Sequence, residues 1–304
     1  MTLNLLRLPA LLAAFFAVLV AIPASAKDLI LDAASGYLVD AQINGVPVRL
    51  RVDPETSGFI ILNGEAAKRI KLRRSMLGAQ AVIGPVRVKG NTKVARVSIG
   101  GVTGRRRLVF TDRVAAPGAD GLIGPADMPF DRVTFQLRAP QAGERTTAIP
   151  MQWERSFGLF HPVTFGGQAV RFRFSTIRPD SIATAAAGAV IAAGHAGAWS
   201  GPPGEQMIKY EVVRPVRPMS LARPASFGGL PLDRFHVRTS DSRGANVLPT
   251  DPAADPDEIV VTGDRKRQKA RYDLSLGTNW LSACSSLSWD NRTKLMTLSC
   301  RTAA

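Results

Sequence analysis

Gly45-Val-Pro-Val-Arg-Leu-Arg-Val52 and Gly167-Gln-Ala-Val-Arg-Phe-Arg-Phe174 are two versions of one segment, 122 positions apart. In the first copy Val48, Leu50 and Val52 alternate with Arg49 and Arg51, the period of a half-buried strand. Asn44-Gly45 precedes it, and the apolar-polar run Tyr37 to Ile43 lies before that, which predicts a β-hairpin closed by a two-residue turn. Outward from here, Phe59 to Leu62, Val94 to Ile99, Leu108 to Phe110 and Val133 to Leu137 continue the strand pattern. Gly64 to Ile70 reads as a short helix. Ala183 to Ala193, rich in Ala and Gly, reads as a helix packed closely on a sheet.

The duplication extends along the chain. Ala95 to Gly101 is matched by Ala222 to Gly229 through their Gly pairs, at an offset of 128, and Asp120-Gly-Leu-Ile-Gly124 by Asp273-Leu-Ser-Leu-Gly277, at 153. The offset grows by 25 where the Asp/Pro-rich Asp251 to Glu258 and the basic Arg265 to Arg271 occur, as an insertion would require. The expected organisation is two homologous β lobes with short helices, residues 27–145 and 155–304. A linker at 146–154 joins them, and a surface loop at about 239–271 is inserted in the second.

Residues 1–26 read as a cleavable export signal. Arg7 gives the positive start, Leu8 to Ile22 is almost wholly apolar, and Ala24-Ser25-Ala26 is a small-residue cleavage site. The apolar run is shorter than the ~20 residues of a membrane-spanning helix, and no second run follows. An exported, periplasmic or secreted protein without stable membrane insertion is expected. Cys284 and Cys300 are the only cysteines and should pair there, closing a short loop worth about 3 kcal/mol in chain-entropy terms. With His161, His195 and His236 they form none of the spacings of a metal site, so neither metal nor other cofactor is expected.

The net charge is +15 over 304 residues. It serves solubility. In an exported protein it also fits acidic envelope polymers or lipid head groups as counter-ions, with no nucleic acid expected. No Gly-x-Ser-x-Gly elbow is present, and Gly121 to Gly124 lacks the Lys of a phosphate loop, which argues against serine-hydrolase and nucleotide chemistry. Glu258-Ile-Val-Val-Thr-Gly263 is similar to a short stretch near the start of many outer-membrane TonB-dependent receptors. As a β-prone segment it could add to a partner's sheet edge.

Three segments together resemble the retropepsin-like and pepsin-like aspartic peptidases: Ile43 to Asp53 with Ser57 to Leu62 following, the helix-like Glu65 to Ile70, and Asp120 to Gly124, which looks like the element packed behind the catalytic turn. Leu276-Gly277-Thr-Asn-Trp-Leu281 is close to the second-lobe form. The resemblance implies two lobes facing one cleft, each contributing one Asp from an Asp-Thr/Ser-Gly turn, with two carboxylates sharing a proton around an activated water.

This chain departs from that pattern. The first turn is Asp53-Pro54-Glu55, with no hydroxyl or backbone donor at Pro54 and a bulky charged residue where Gly belongs. The offset of 122 carries Asp53 onto Ser175, which cannot serve as the second carboxylate. Asp53-Pro54 can equally be read as an ordinary turn. The expectation is a catalytically inactive, monomeric protein binding a peptide, a protein segment or an anionic envelope component in the cleft. The alternatives are an aspartic endopeptidase using Asp53 with a displaced carboxylate, Glu55 or Asp180, and an interaction protein docking through residues 239–271.

Overall fold

The computed structural model describes residues 27–241, 248–249 and 269–301. The expected export signal, the TonB-receptor-like stretch and most of the 239–271 loop lie outside these.

Asn44 and Gly45 both take left-handed φ values, 51° and 81°, closing the hairpin of Leu38–Ile43 with Val46–Val52 in the register Ile43↔Val46. A primed turn of this kind matches the right-handed strand twist. From this hairpin the first lobe builds a seven-stranded sheet in the order Leu38–Ile43, Val46–Val52, Gly121–Ile123, Ile60–Asn63, Val102–Thr111, Val86–Ile99, Gly78–Ile83. The second lobe repeats the order with Gly158–Phe165, Gln168–Phe174, Asp273–Leu276, Ile182–Ala183, Leu230–Arg238, Val212–Phe227 and Gly204–Lys209. The helices Gly64–Arg69 and Ala185–His195 follow the equivalent short strands. The expected all-β class with two related lobes holds. A Cβ on Gly188 would lie 2.6 Å from a methyl of Val237, so the Ala/Gly-rich helix sits close against its sheet, as its composition suggests.

A third sheet draws on both halves of the chain: Asp28–Asp32, Arg132–Gln136, Cys284–Asp290, Leu295–Cys300 and Arg145–Pro150, in that order. Residues 146–154 are therefore not a free connector. Arg145–Pro150 pairs with Leu295–Cys300, and Gln152–Glu154 pairs with Gly158–Phe160. The extended, pairing-competent run Thr146 to Pro150 finds an open edge here, which composition alone did not reveal. Cys284 and Cys300 are bonded across this sheet. The core runs through both lobes and this sheet without a break, with Phe135, Phe172, Phe174 and Trp289 fully buried.

In each lobe the strand quoted first is clamped in parallel by the later Gly-ending element, Val52↔Ile123 in one and Phe174↔Leu276 in the other. The clamp demands close approach. A Cβ on Gly121 would lie 2.2 Å from the Ile61 carbonyl oxygen, which is backbone and cannot step aside, whereas Gly104 has open space around it. Gly121→Ala is expected to lower unfolding stability by about 1–3 kcal/mol in urea titration, and Gly104→Ala to leave it nearly unchanged.

Candidate functional site

The two clamps end in equivalent turns. Asp53 N–H donates to the Ile123 carbonyl at 3.1 Å, and Ser175 N–H to the Leu276 carbonyl at 2.9 Å. Thr56 N–H closes the first turn on the Asp53 carbonyl at 2.9 Å, so the ordinary-turn reading of Asp53-Pro54 describes its backbone well. In the second turn Arg178 N–H donates to Ser175 Oγ at 3.2 Å.

The turns meet face to face. Thr176 N–H donates to Asp53 Oδ1 at 2.9 Å, and Ser175 Oγ lies 3.3 Å from Asp53 Oδ2 as its donor. Asp53, Glu55 and Ser175 are 4%, 5% and 1% exposed. Where the resemblance implies a second carboxylate, a hydroxyl stands. Asp180, one proposed substitute, is directed elsewhere and accepts a hydrogen bond from Gln206 Nε2 at 2.9 Å.

Glu55, the other proposed substitute, is close enough to act on Asp53 by charge, but its oxygens are fully engaged. Lys209 Nζ at 3.0 Å and Arg173 Nη1 at 3.5 Å face Oε1. Arg178 Nη2 at 3.1 Å and Ser275 Oγ at 3.0 Å face Oε2. Arg173 also donates to the Glu55 and Phe157 carbonyls. A carboxylate surrounded by three cations and a hydroxyl is a structural anion, with no free lone pair aimed at a water.

The electrostatics follow from burial and these neighbours. Burial, reinforced by the Glu55 charge, pushes Asp53 up to about 6 against the Thr176 N–H, Lys209 and Arg178. Burial also works to raise Glu55, but Lys209, Arg178 and Arg173 overcome it and hold its carboxyl well below the ordinary range. Lys209 is lowered by its own burial, against the attraction of Glu55. Tyr210 is pushed up to about 12, again chiefly by burial.

Lys209 reaches the turns because the second-lobe hairpin Gly204–Lys209 with Val212–Phe227 lies over them. Its tip, Tyr210-Glu211, has two positive φ angles, 54° and 56°, without any Gly or Asn to announce it. Arg178 Nη2 donates to the Ile208 carbonyl at 3.1 Å. The first lobe holds the tip through Arg113 Nη1 to the Tyr210 carbonyl at 3.3 Å and Val114 N–H to Glu211 Oε2 at 3.1 Å. The first-lobe hairpin Gly78–Ile83 with Val86–Ile99 comes from the other side, and Arg271 Nη1 donates to its Val82 carbonyl at 3.2 Å. Ile83, Val88 and Val212 form a small separate apolar cluster where the hairpins meet, flanked by Ala81, Val86, Ile208 and Tyr210. The cleft expected between the lobes is therefore filled, at the two turns, by the protein's own hairpin.

Sequence reasoning placed Asp53 opposite Ser175 and missed Arg173, Arg178, Lys209, Thr176 and Ser275. The alternation Arg171-Phe172-Arg173-Phe174 marks Arg173 as outward-facing, yet it is buried against the first turn. Among the described residues no group of acidic, His or Cys side chains could hold a metal ion.

Among solved structures the chain is similar to an aspartic proteinase from Irpex lacteus, at 11% identity and a TM-score of 0.42, over 88% of this chain and 95% of that one. It is also similar to EIAV protease complexed with the inhibitor HBY-793, at 20% identity and a TM-score of 0.23, over 29% of this chain and 79% of that one. No family model matches the sequence, and no curated protein matches it.

Proposed function

We propose that this is an exported, catalytically silent protein of aspartic-peptidase type that takes an extended peptide segment between its lobes. The observation that carries the reading is Ser175 Oγ facing Asp53 Oδ2 at 3.3 Å. General acid-base cleavage through a shared water needs two ionisable oxygens with split proton affinities, and a serine supplies none near neutral pH. Glu55 is occupied by its cations. The segment Met207 to Lys209 is itself an extended chain lying over the turns, with its Ile208 carbonyl on Arg178, so the cleft accommodates extended backbone. A peptide from elsewhere would have to displace this hairpin, which meets the first-lobe hairpin in a separate apolar cluster of only three buried members.

The test is incubation of the mature protein with a mixed peptide library between pH 3 and 7, read by mass spectrometry, beside Asp53→Asn. The expected result is no cleavage by either. Cleavage by the wild type that Asp53→Asn abolishes would overturn the reading in favour of an endopeptidase using Glu55 as second carboxylate.

A further inference from the structure

Residues 71–111 contain three Lys and seven Arg and no Asp or Glu. Arg96 and Arg105 stand directly opposite each other in the register of Val86–Ile99 with Val102–Thr111, and Arg107 follows two positions on, facing Val94. Side chains two apart share a face of a strand, so these three arginines line one face. Like charges directly opposite on a sheet are destabilising, and none of the three has an ion-pair partner among the described residues.

The loop Lys71 to Leu77 is fastened over the same face. Thr92 Oγ1 donates to the Leu77 carbonyl at 2.6 Å, lies 2.9 Å from Ser75 Oγ, and accepts from Arg107 Nη1 at 3.1 Å. This loop carries exposed Arg73 and Arg74, and between them and the sheet it projects two apolar side chains, Met76 at 103% and Leu77 at 61% exposure.

From this arrangement we infer that this face of the first lobe docks on an anionic phospholipid bilayer surface. The charge complementarity is one-sided, since no acidic side chain interrupts residues 71–111. Two apolar side chains held out among arginines favour a partner with an apolar interior behind its charged surface. Cationic side chains add electrostatic attraction to anionic lipid, and inserted apolar ones add burial. A hydrophilic polyanion would use the arginines and leave Met76 and Leu77 in water. The inference is independent of Asp53, which lies at the turns between the lobes.

Co-sedimentation of the mature full chain with vesicles tests it, using phosphatidylcholine alone and phosphatidylcholine mixed with phosphatidylglycerol. Binding is expected only to the mixed vesicles, weakening as salt rises. The double variant Arg73→Glu/Arg74→Glu should lose about tenfold or more in affinity, and so should Met76→Ser/Leu77→Ser, both with unchanged circular dichroism. Asp53→Asn should bind as the wild type does. Absence of vesicle binding overturns the proposal. So does full binding by Met76→Ser/Leu77→Ser with equal capture of soluble polyphosphate, which would mark a general polyanion surface.

Discussion

Glu55→Gln is expected to destabilise the protein by about 3–5 kcal/mol near pH 7, measured by urea unfolding, because it leaves two buried arginines and the one-third-exposed Lys209 without their shared counter-ion. Arg173 and Arg178 are each 9% exposed, and Lys209 is drawn in beside them. The amide preserves shape and can still accept from Ser275 Oγ, so the loss is one of charge and not of packing. Asp53, relieved of the neighbouring negative charge, would ionise more readily and offset part of the deficit, which places the effect toward the lower end of that range. The pH dependence has a definite sign. Glu55 is held well below the usual carboxylate range in the folded state, so its contribution is complete above the unfolded value near 4.5 and is lost as pH falls through the folded value. The gap between wild type and Glu55→Gln should therefore be wide at pH 7 and close only in strong acid. A difference under about 1 kcal/mol at pH 7 would show that these ion pairs are screened as surface pairs are.

Asp53→Asn should have the opposite character. Asp53 is pushed up to about 6, above its ordinary value of 3.8, chiefly by burial. A carboxyl with a raised folded value contributes fully below the unfolded value and loses that contribution as pH rises toward the folded one. Between pH 4 and 7 the wild type should thus lose on the order of 2–3 kcal/mol that the variant keeps. Asn retains an oxygen for the Thr176 N–H and presents an amide to Ser175 Oγ, which can accept it. The stability difference between the two proteins should shift toward the variant across this window. Parallel profiles would mean that position 53 is neither buried nor shifted. In an enzyme that depends on this carboxylate the same substitution would be chosen to abolish activity, whereas here it is expected to stabilise.

The parts of this molecule that local pattern can specify were legible in its sequence. Period-two alternation from Val46 to Val52, the Asn44-Gly45 turn and the repeat at 122 positions located the founding hairpin of each lobe. They also align Asp53 with Ser175, which the fold brings face to face. The growth of the offset to 153 put the Gly-ending clamps where they pair. Long-range electrostatics left no comparable trace. Glu55 meets Arg173, Arg178, Lys209 and Ser275 from 118 to 220 residues away. Arg173 sits at a position whose alternation reads as solvent-facing. The hairpin tip at Tyr210-Glu211 adopts left-handed backbone without the residues that usually signal it. As a result Glu55 reads in sequence as an intruder in a Gly position, while in the fold it anchors a hairpin across the cleft. The strand at Arg145–Pro150 was hidden for a related reason, since its partner Leu295–Cys300 comes from the far end of the chain.

With this geometry the paired turns should hold a single titrating proton, on Asp53, beside a Glu55 that stays ionised. Carboxyl carbon shifts followed by NMR from pH 3 to 8 test it directly, with Asp53→Asn and Asp127→Asn separating the resonances of two aspartates that burial pushes up to about 6. One titration step for Asp53 near pH 6, with Glu55 flat through that step, is the predicted result. Mirrored two-step titrations of Asp53 and Glu55, the signature of two carboxyls exchanging one proton, would contradict it.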